Sequence, residues 1–151
     1  NELRFETATS SIGANFSVEI NSAAIRRMLS NVLTNAVEAC SAAGLITMTI
    51  TEEAGALLVA IRDSGIGIPE EVLPKLGLRG FSYGKERGLG LGLFNTKRTL
   101  EAWGGGLHIA SECGIGTTVT LCLPIVASVR LPRTEPMQPV PSLLPRTQLS
   151  T

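Results

Sequence analysis

The chain has 151 residues, of which 44% are hydrophobic and 4% aromatic, and its 13 basic residues balance 13 acidic ones. This size and apolar content predict one folded domain with an aliphatic core. The zero net charge excludes a global basic field of the kind that attracts nucleic acid or a membrane surface.

The three cysteines, Cys40, Cys113 and Cys122, are an odd number and show no short metal-ligand spacing. They predict buried free thiols in a reducing compartment, hence a cytoplasmic chain. No apolar run approaches the roughly 18 residues of a membrane span, and the amino terminus lacks a signal-peptide pattern. Because the chain begins without methionine, it can equally be the cytosolic end of a longer, membrane-bound protein.

Alternating residues predict short strands at 3–7 and 15–19, and Asn21 is a good N-cap for a helix that runs to about Ala42. The apolar residues of this helix recur with a 3.6-residue period, which predicts one buried face: Ile25, Met28, Leu29, Val32, Leu33, Ala36, Val37 and Cys40. Gly44 ends the helix. Residues 45–51 and 56–62 then predict a β-hairpin.

A short helical stretch is predicted near residues 70–76, followed by a mobile, glycine-rich loop at 77–89. A second helix is predicted at 92–103, and residues 107–111 and 117–123 predict a closing hairpin. Six of the eight prolines lie between positions 124 and 145. We therefore expect a domain at residues 1–125 and a disordered linker or partner-docking tail at 126–151.

Three polar residues, Asn31, Asn35 and Glu38, share one face of the long helix. Asparagine is a mediocre helix former, so two of them in mid-helix need a reason. One interpretation is a Mg²⁺ site, because side-chain oxygens suit this cation and it keeps water and phosphate oxygens as its other ligands. The alternative is a solvated face.

The segment DSGIGIP, residues 63–69, follows a predicted strand, so Asp63 stands at the carboxyl end of that strand, where small ligands often bind in α/β sheets. Gly65 and Gly67 permit a tight turn, and Ile66 and Ile68 can wall an apolar slot. A carboxylate beside such a slot can accept a hydrogen bond from an exocyclic amine such as that of adenine. The alternative is an ordinary glycine turn.

Gly88, Gly90 and Gly92 alternate just before the second helix. Glycines there expose backbone N–H groups at the positive end of the helix, where phosphates bind, so we expect a β-carbon at Gly90 to obstruct phosphates and leave the core intact. The alternative is a flexible surface loop. Basic residues surround this run and suit an anionic ligand, or else a solvated face: Lys75, Arg79, Lys85, Arg87, Lys97 and Arg98.

In chain order, NVLTNAVEA, DSGIGIP and GLGLGL resemble the N, G1 and G2 boxes of the ATP-binding domain of bacterial sensor histidine kinases, members of the GHKL superfamily. Thr117-Thr118 and the strand through Pro124 resemble the end of that domain. The resemblance covers about residues 1–125 and implies a two-layer α/β sandwich: a mixed, mainly antiparallel sheet with helices on one face, as in gyrase.

The resemblance implies a role for each matching position. Asn35 would bind Mg²⁺, with Asn31 near the metal and phosphates, and Asp63 would bind the adenine amino group. The other implied ATP contacts are Gly65, Ile66, Gly67 and Ile68 around the base, Thr117 on the closing strand, and Gly88, Leu89, Gly90, Leu91 and Gly92 at the phosphate end. Lys85 resembles the lysine of the FFTTK-type segment of nitrogen-sensing kinases, although only Phe81 and Lys85 of GFSYGK match that segment well.

Gyrase-type hydrolases carry a water-activating glutamate where this chain has Asn31, an amide that cannot act as a base. Phosphoryl transfer is therefore favoured over hydrolysis, with Asn31 and Lys85 as the implied catalytic residues. The acceptor histidine would lie on a separate dimerisation domain, because His108 falls in a predicted strand.

Partners implied by the resemblance are that histidine-bearing domain and a downstream response regulator receiver domain, with no nucleic acid, no membrane contact and a monomeric isolated chain. Three alternatives share the fold: an anti-sigma-type serine kinase, a true ATPase of the gyrase class and a nucleotide-sensing module without transfer.

Overall fold

The structure is a computed structural model that describes residues 2–9, 21–41, 43–84 and 90–125. Within them, five strands form one sheet in the order β1-β2-β3-β5-β4. The strands are β1 Leu3–Thr9, β2 Gly44–Glu53, β3 Ala56–Asp63, β4 Gly106–Glu112 and β5 Gly116–Pro124. β1 pairs with β2 in parallel, and every other pairing is antiparallel. The predicted mixed, mainly antiparallel sheet is confirmed.

Helices α1 (Ser22–Cys40) and α2 (Gly92–Ala102) cover one face of this sheet. α1 begins where predicted, because the side chain of Asn21 accepts hydrogen bonds from the backbone N–H groups of Ala23 and Ala24. Its buried residues are spaced at the predicted helical period: Met28, Val32, Ala36 and Cys40. Both predicted helices are confirmed.

The core lies between the sheet and the two helices. Strand residues on the covered face alternate with outward-facing ones, so Ile61 and Val119 pair across β3 and β5 beneath α1. Leu100 of α2 is fully buried against the same core. His108 of β4 is exposed and lies between Leu107 and Ile109, which face the core. It therefore belongs to the opposite, uncovered face of the sheet.

The hairpin between β2 and β3 turns through Ala54 and Gly55, both of which have positive φ, as in the type I′ turns that suit two-residue hairpins. The helical stretch predicted at 70–76 is only a 3₁₀ turn, Leu73–Lys75. Pro74 has no N–H group to continue an α-helix, and the neighbouring N–H groups bond to carbonyls three residues back. The predicted strand at 15–19 and the tail at 126–151 lie outside the described residues.

The prediction of three buried thiols was wrong for two of them. All three cysteines are free, but only Cys40 is buried. Cys113 is exposed in the turn between β4 and β5. Cys122 is half-buried, because it alternates with the core residues Leu121 and Leu123 and so faces the uncovered side of the sheet.

Candidate nucleotide site

A cavity of about 500 Å³ opens at one end of the sheet, beside α1 and the first residues of α2. Most of the predicted site residues line it together: Asn31, Asn35, Asp63, Ile66, Gly67, Ile68, Gly90, Leu91, Gly92 and Thr117. Gly65 does not line it. Lys85, Gly88 and Leu89 lie outside the described residues.

Asp63 is the last residue of β3 and is 5% exposed. Its Oδ1 accepts hydrogen bonds from the backbone N–H groups of Gly65 (2.9 Å) and Thr117 (3.2 Å). Burial raises the pKa of the Asp63 carboxyl, and these two hydrogen bonds partly offset that increase. Both backbone donors reach Oδ1, so a ligand can be recognised through the second oxygen of the same carboxylate.

The glycines of DSGIGIP hold this loop against its neighbours. Gly67 has φ +70°, and a β-carbon there would lie 2.0 Å from the carbonyl oxygen of Glu112. A β-carbon on Gly65 would lie 2.6 Å from the carbonyl of Ala39 at the end of α1. Gly65 therefore shapes the site through the fit of the loop against α1 and does not meet the cavity itself.

The apolar wall predicted for this loop is present. Ile66 is 62% exposed and Ile68 is half-buried, and both line the cavity. Core residues Ile61, Ile109 and Val119 extend the wall into the sheet. Within its described lining, the cavity thus combines an apolar surface with one buried carboxylate, as expected of a site for a flat heterocycle that carries an amine.

The polar stripe of α1 faces the cavity, since Asn31, Asn35 and Glu38 all line it. The solvated-face alternative is wrong for Asn31, which is half-buried. Its Nδ2 donates to the carbonyl oxygen of Gly92 at 3.3 Å and to Thr96 Oγ1 at 3.5 Å. Asn31 therefore fixes α1 to the first turn of α2.

The N-terminus of α2 has no side-chain cap and no acidic residue in its first turn, so its positive end carries no charge that would repel an anion. Gly92 tolerates a β-carbon, which would lie 3.5 Å from Asn31. Gly90 does not: its φ is +63°, and a β-carbon would lie 2.5 Å from the backbone at Gly80 and Phe81. A β-carbon at Gly90 would therefore displace the backbone at Gly80 and Phe81, which lie outside the core cluster, and its expected lack of effect on the core stays a prediction.

None of the described basic residues lines the cavity. Lys75, Arg79, Lys97 and Arg98 do not line it, and Arg98 lies over the ring of Phe94 at 5.8 Å. Lys85 and Arg87 are outside the described residues. Any positive charge from the described part of the cavity lining therefore comes from backbone dipoles at α2.

The sequence patterns did not indicate two polar residues at this site, Thr96 and Ser111. Thr96 of α2 is fully buried, and its hydroxyl donates to the carbonyl of Gly92. Ser111 of β4 bonds to Ile68, Gly116 and Thr117. Each occupies a position that the apolar periodicity of its helix or strand assigns to the core. The only signal in the sequence is therefore a hydroxyl residue at a core-facing position.

Over the described ranges, no cluster of three His, Cys, Asp or Glu side chains is placed to hold a metal ion. Asn35 and Glu38 nevertheless offer side-chain oxygens at the cavity, and Mg²⁺ needs only one or two protein oxygens when phosphates supply the rest. The donor set therefore fits Mg²⁺ that arrives with a nucleotide.

None of the helices described is long and apolar enough to cross a membrane.

Residues 20–127 match the family model described as histidine kinase-, DNA gyrase B- and HSP90-like ATPase. Sporulation kinase D of Bacillus subtilis is 36% identical over 104 residues, which are 69% of this chain and 20% of the relative. Sensor histidine kinase WalK of the same organism is 36% identical over 114 residues, 71% of this chain and 19% of the relative. The chain thus spans about a fifth of the length of these curated relatives.

Among solved structures, a nucleotide-free form of the catalytic domain of histidine kinase ThkA superimposes with a TM-score of 0.70. It is 28% identical, and the match covers 81% of this chain and 78% of that one. The mycobacterial sensor histidine kinase MprB also gives a TM-score of 0.70, at 26% identity over 82% of each chain.

Proposed function

Because this chain belongs to the family of histidine kinase-, DNA gyrase B- and HSP90-like ATPases, we propose that it is the ATP-binding catalytic domain of a sensor histidine kinase. It binds Mg-ATP in the cavity and donates the γ-phosphate to a histidine on another domain of the same kinase. The observation that carries the proposal is one cavity that joins a buried carboxylate, an apolar wall and an uncapped helix N-terminus.

In this assignment the adenine lies between Ile66, Ile68 and the end of the sheet, and its amino group donates to Asp63. The phosphates extend toward the N-terminus of α2, with Gly88, Leu89, Gly90, Leu91 and Gly92 at that end and Lys85 as a further phosphate contact. Thr117 lies beside Asp63 at the base. Asn35 would hold the Mg²⁺ ion, which would neutralise phosphate charge.

Phosphoryl transfer needs little covalent chemistry from the protein, because positioning and charge stabilisation supply most of the catalysis. The bond between the γ-phosphorus and the β,γ-bridging oxygen breaks as a histidine nitrogen forms the new P–N bond, and ADP leaves. Asn31 orients the first turn of α2 through its amide nitrogen. An amide cannot take a proton from water, so hydrolysis is not favoured at this position.

The partners follow from that chemistry. A histidine-bearing dimerisation domain supplies the acceptor, and a response regulator receiver domain takes the phosphoryl group from it. ATP and such regulators belong to the cytosol, so we place the domain there, alone or as the cytosolic end of a membrane-bound sensor.

Transfer should depend on a supplied acceptor. Incubated with γ-labelled ATP, the chain should neither label itself nor release phosphate at an appreciable rate, because His108 lies on the uncovered face of the sheet. Adding the histidine-bearing domain of the parent kinase should produce acid-labile label on that domain, and an acceptor with its histidine replaced by glutamine should stay unlabelled. Label on this chain that disappears with His108→Gln, or steady hydrolysis, would contradict the proposal.

Asn35→Ala should remove the Mg²⁺ dependence of ATP binding. The amide oxygen is the assigned metal contact, whereas metal-free ADP depends mainly on the base-binding end of the cavity. Calorimetric titrations of ATP with Mg²⁺ or EDTA, and of ADP with EDTA, separate the two contributions. Thr34→Ala, which changes the adjacent cavity-lining residue, is the control. If Asn35→Ala weakened the binding of metal-free ADP as much as the binding of Mg-ATP, Asn35 would have a structural role instead.

A further inference from the structure

Three polar side chains form a row across the end of the sheet. Asp63 on β3 pairs in register with Thr117 on β5, and Thr117 pairs with Ser111 on β4. The row continues the covered face of the sheet beyond the apolar row of Ile61, Val119 and Ile109. Asp63 and Thr117 line the cavity, and Ser111 lies behind Thr117.

The Ser111 hydroxyl uses its full hydrogen-bonding capacity. It accepts from the backbone N–H of Ile68 at 2.8 Å and donates to the carbonyl oxygen of Gly116 at 2.9 Å. Its third contact is Thr117 Oγ1 at 2.8 Å. A hydroxyl has one proton and two lone pairs. Because the Ser111 proton is directed to Gly116, Thr117 must be the donor in the third contact.

This assignment fixes what Thr117 presents to the cavity. Its only hydroxyl proton points to Ser111, so Thr117 Oγ1 can act toward a ligand only as an acceptor. The neighbouring Asp63 carboxylate is also an acceptor. Two adjacent acceptors match the two N–H bonds of an exocyclic amine. A ligand with a carbonyl oxygen at the same position would find only acceptors there, and the missing hydrogen bond would reduce its affinity in a desolvated site.

We propose that Ser111, acting through Thr117, makes this site select a 6-amino purine over a 6-oxo purine. Ser111 is a specificity-determining positioning residue that does not touch the nucleotide. This inference rests on the proposed binding of ATP in the cavity and deepens it, because it names the group that sets the polarity of the base-reading end.

The test compares ATP with ITP, whose base carries a carbonyl in place of the amine. Ser111→Ala releases the Thr117 proton, which can then be donated to that carbonyl oxygen. We expect the ratio of ATP to ITP affinity, measured by competition against a fluorescent ATP analogue, to fall about tenfold, the effect of one net hydrogen bond. The substitution also removes the hydrogen bonds of Ser111 to Ile68 and Gly116. This loss weakens the binding of ATP and ITP alike, so it leaves the ratio of their affinities unaffected.

Thr117→Val is a second test variant, which removes the Thr117 hydroxyl itself and leaves Ser111 in place. It removes the hydroxyl at nearly constant volume, so the ratio should fall by itself, and adding Ser111→Ala should change it no further. An unchanged ratio in Ser111→Ala or in Thr117→Val would overturn the role of this pair while ATP binding stands. Failure of the folded wild-type chain to bind ATP would overturn the proposed function as well.

Discussion

Asp63→Ala is expected to weaken ATP binding by about a hundredfold. The substitution removes the acceptor of the adenine amine and leaves that amine unpaired in a desolvated cavity, and the loss of a hydrogen bond to a charged group has this magnitude. Asp63 is 5% exposed at the end of β3 and lines the cavity, so bulk water cannot easily replace it. Calorimetry or displacement of a fluorescent ATP analogue measures the loss.

Asp63→Asn is the matched variant that separates recognition from folding. The asparagine keeps an oxygen that can accept from Gly65 and Thr117, as Asp63 Oδ1 does, while its amide nitrogen faces the ligand as a donor. ATP affinity should fall as steeply as in Asp63→Ala, with ITP affinity retained or increased and the melting temperature close to that of the wild type. Undiminished ATP binding by Asp63→Asn would leave Asp63 with a purely structural role.

Gly67→Ala is expected to destabilise the domain by about 3 kcal/mol or more, in the range that marks a severe structural conflict. A β-carbon at this position would lie 2.0 Å from the carbonyl oxygen of Glu112, so the DSGIGIP loop must move away from the turn between β4 and β5. That movement also displaces Ile66 and Ile68 from the cavity wall. ATP affinity should therefore fall together with the urea midpoint.

Gly55→Ala controls for backbone conformation alone. Gly55 has φ +77°, close to the +70° of Gly67, but a β-carbon there would meet nothing within 4 Å. Its substitution should cost about 1 kcal/mol, as expected for alanine in a left-handed conformation, and should leave ATP affinity unchanged. Equal losses of stability in the two variants would show that the loop does not need its close fit against Glu112.

The elements of the fold could be predicted where their causes are local. The cap at Asn21, the helical period of α1 and the alternation along the strands all act within a few residues. The helical stretch predicted at 70–76 is instead the 3₁₀ turn Leu73–Lys75, because Pro74 lacks the N–H group that would continue an α-helix. Exposure of Cys113 depends on its place in the turn between β4 and β5 rather than on its residue type.

The site was predictable as a set of residues but not as a set of contacts. Asp63, Asn35 and Thr117 line one cavity as expected, yet Asn31 bonds to Gly92, 61 positions away, and only the folded chain reveals that pairing. The alternating glycines suggested an approach of phosphate to the backbone. At Gly90 the described neighbour is instead the backbone at Gly80 and Phe81. The sequence does not reveal the role of Ser111, because its partners are distant or in another strand: Ile68 in the DSGIGIP loop, and Gly116 and Thr117 at the start of β5.

The most direct test of the central claim, that this cavity binds ATP, is an NMR titration of the ¹⁵N-labelled chain with Mg-ATP. Saturable amide shifts should be confined to residues around Asp63, Thr117 and the first turn of α2, and the hairpin at Ala54 and Gly55 should not respond. Mg-ITP should shift the same amides only at higher concentration. A folded sample that shows no saturable shift at millimolar Mg-ATP, or whose shifts lie away from the cavity, would contradict the claim.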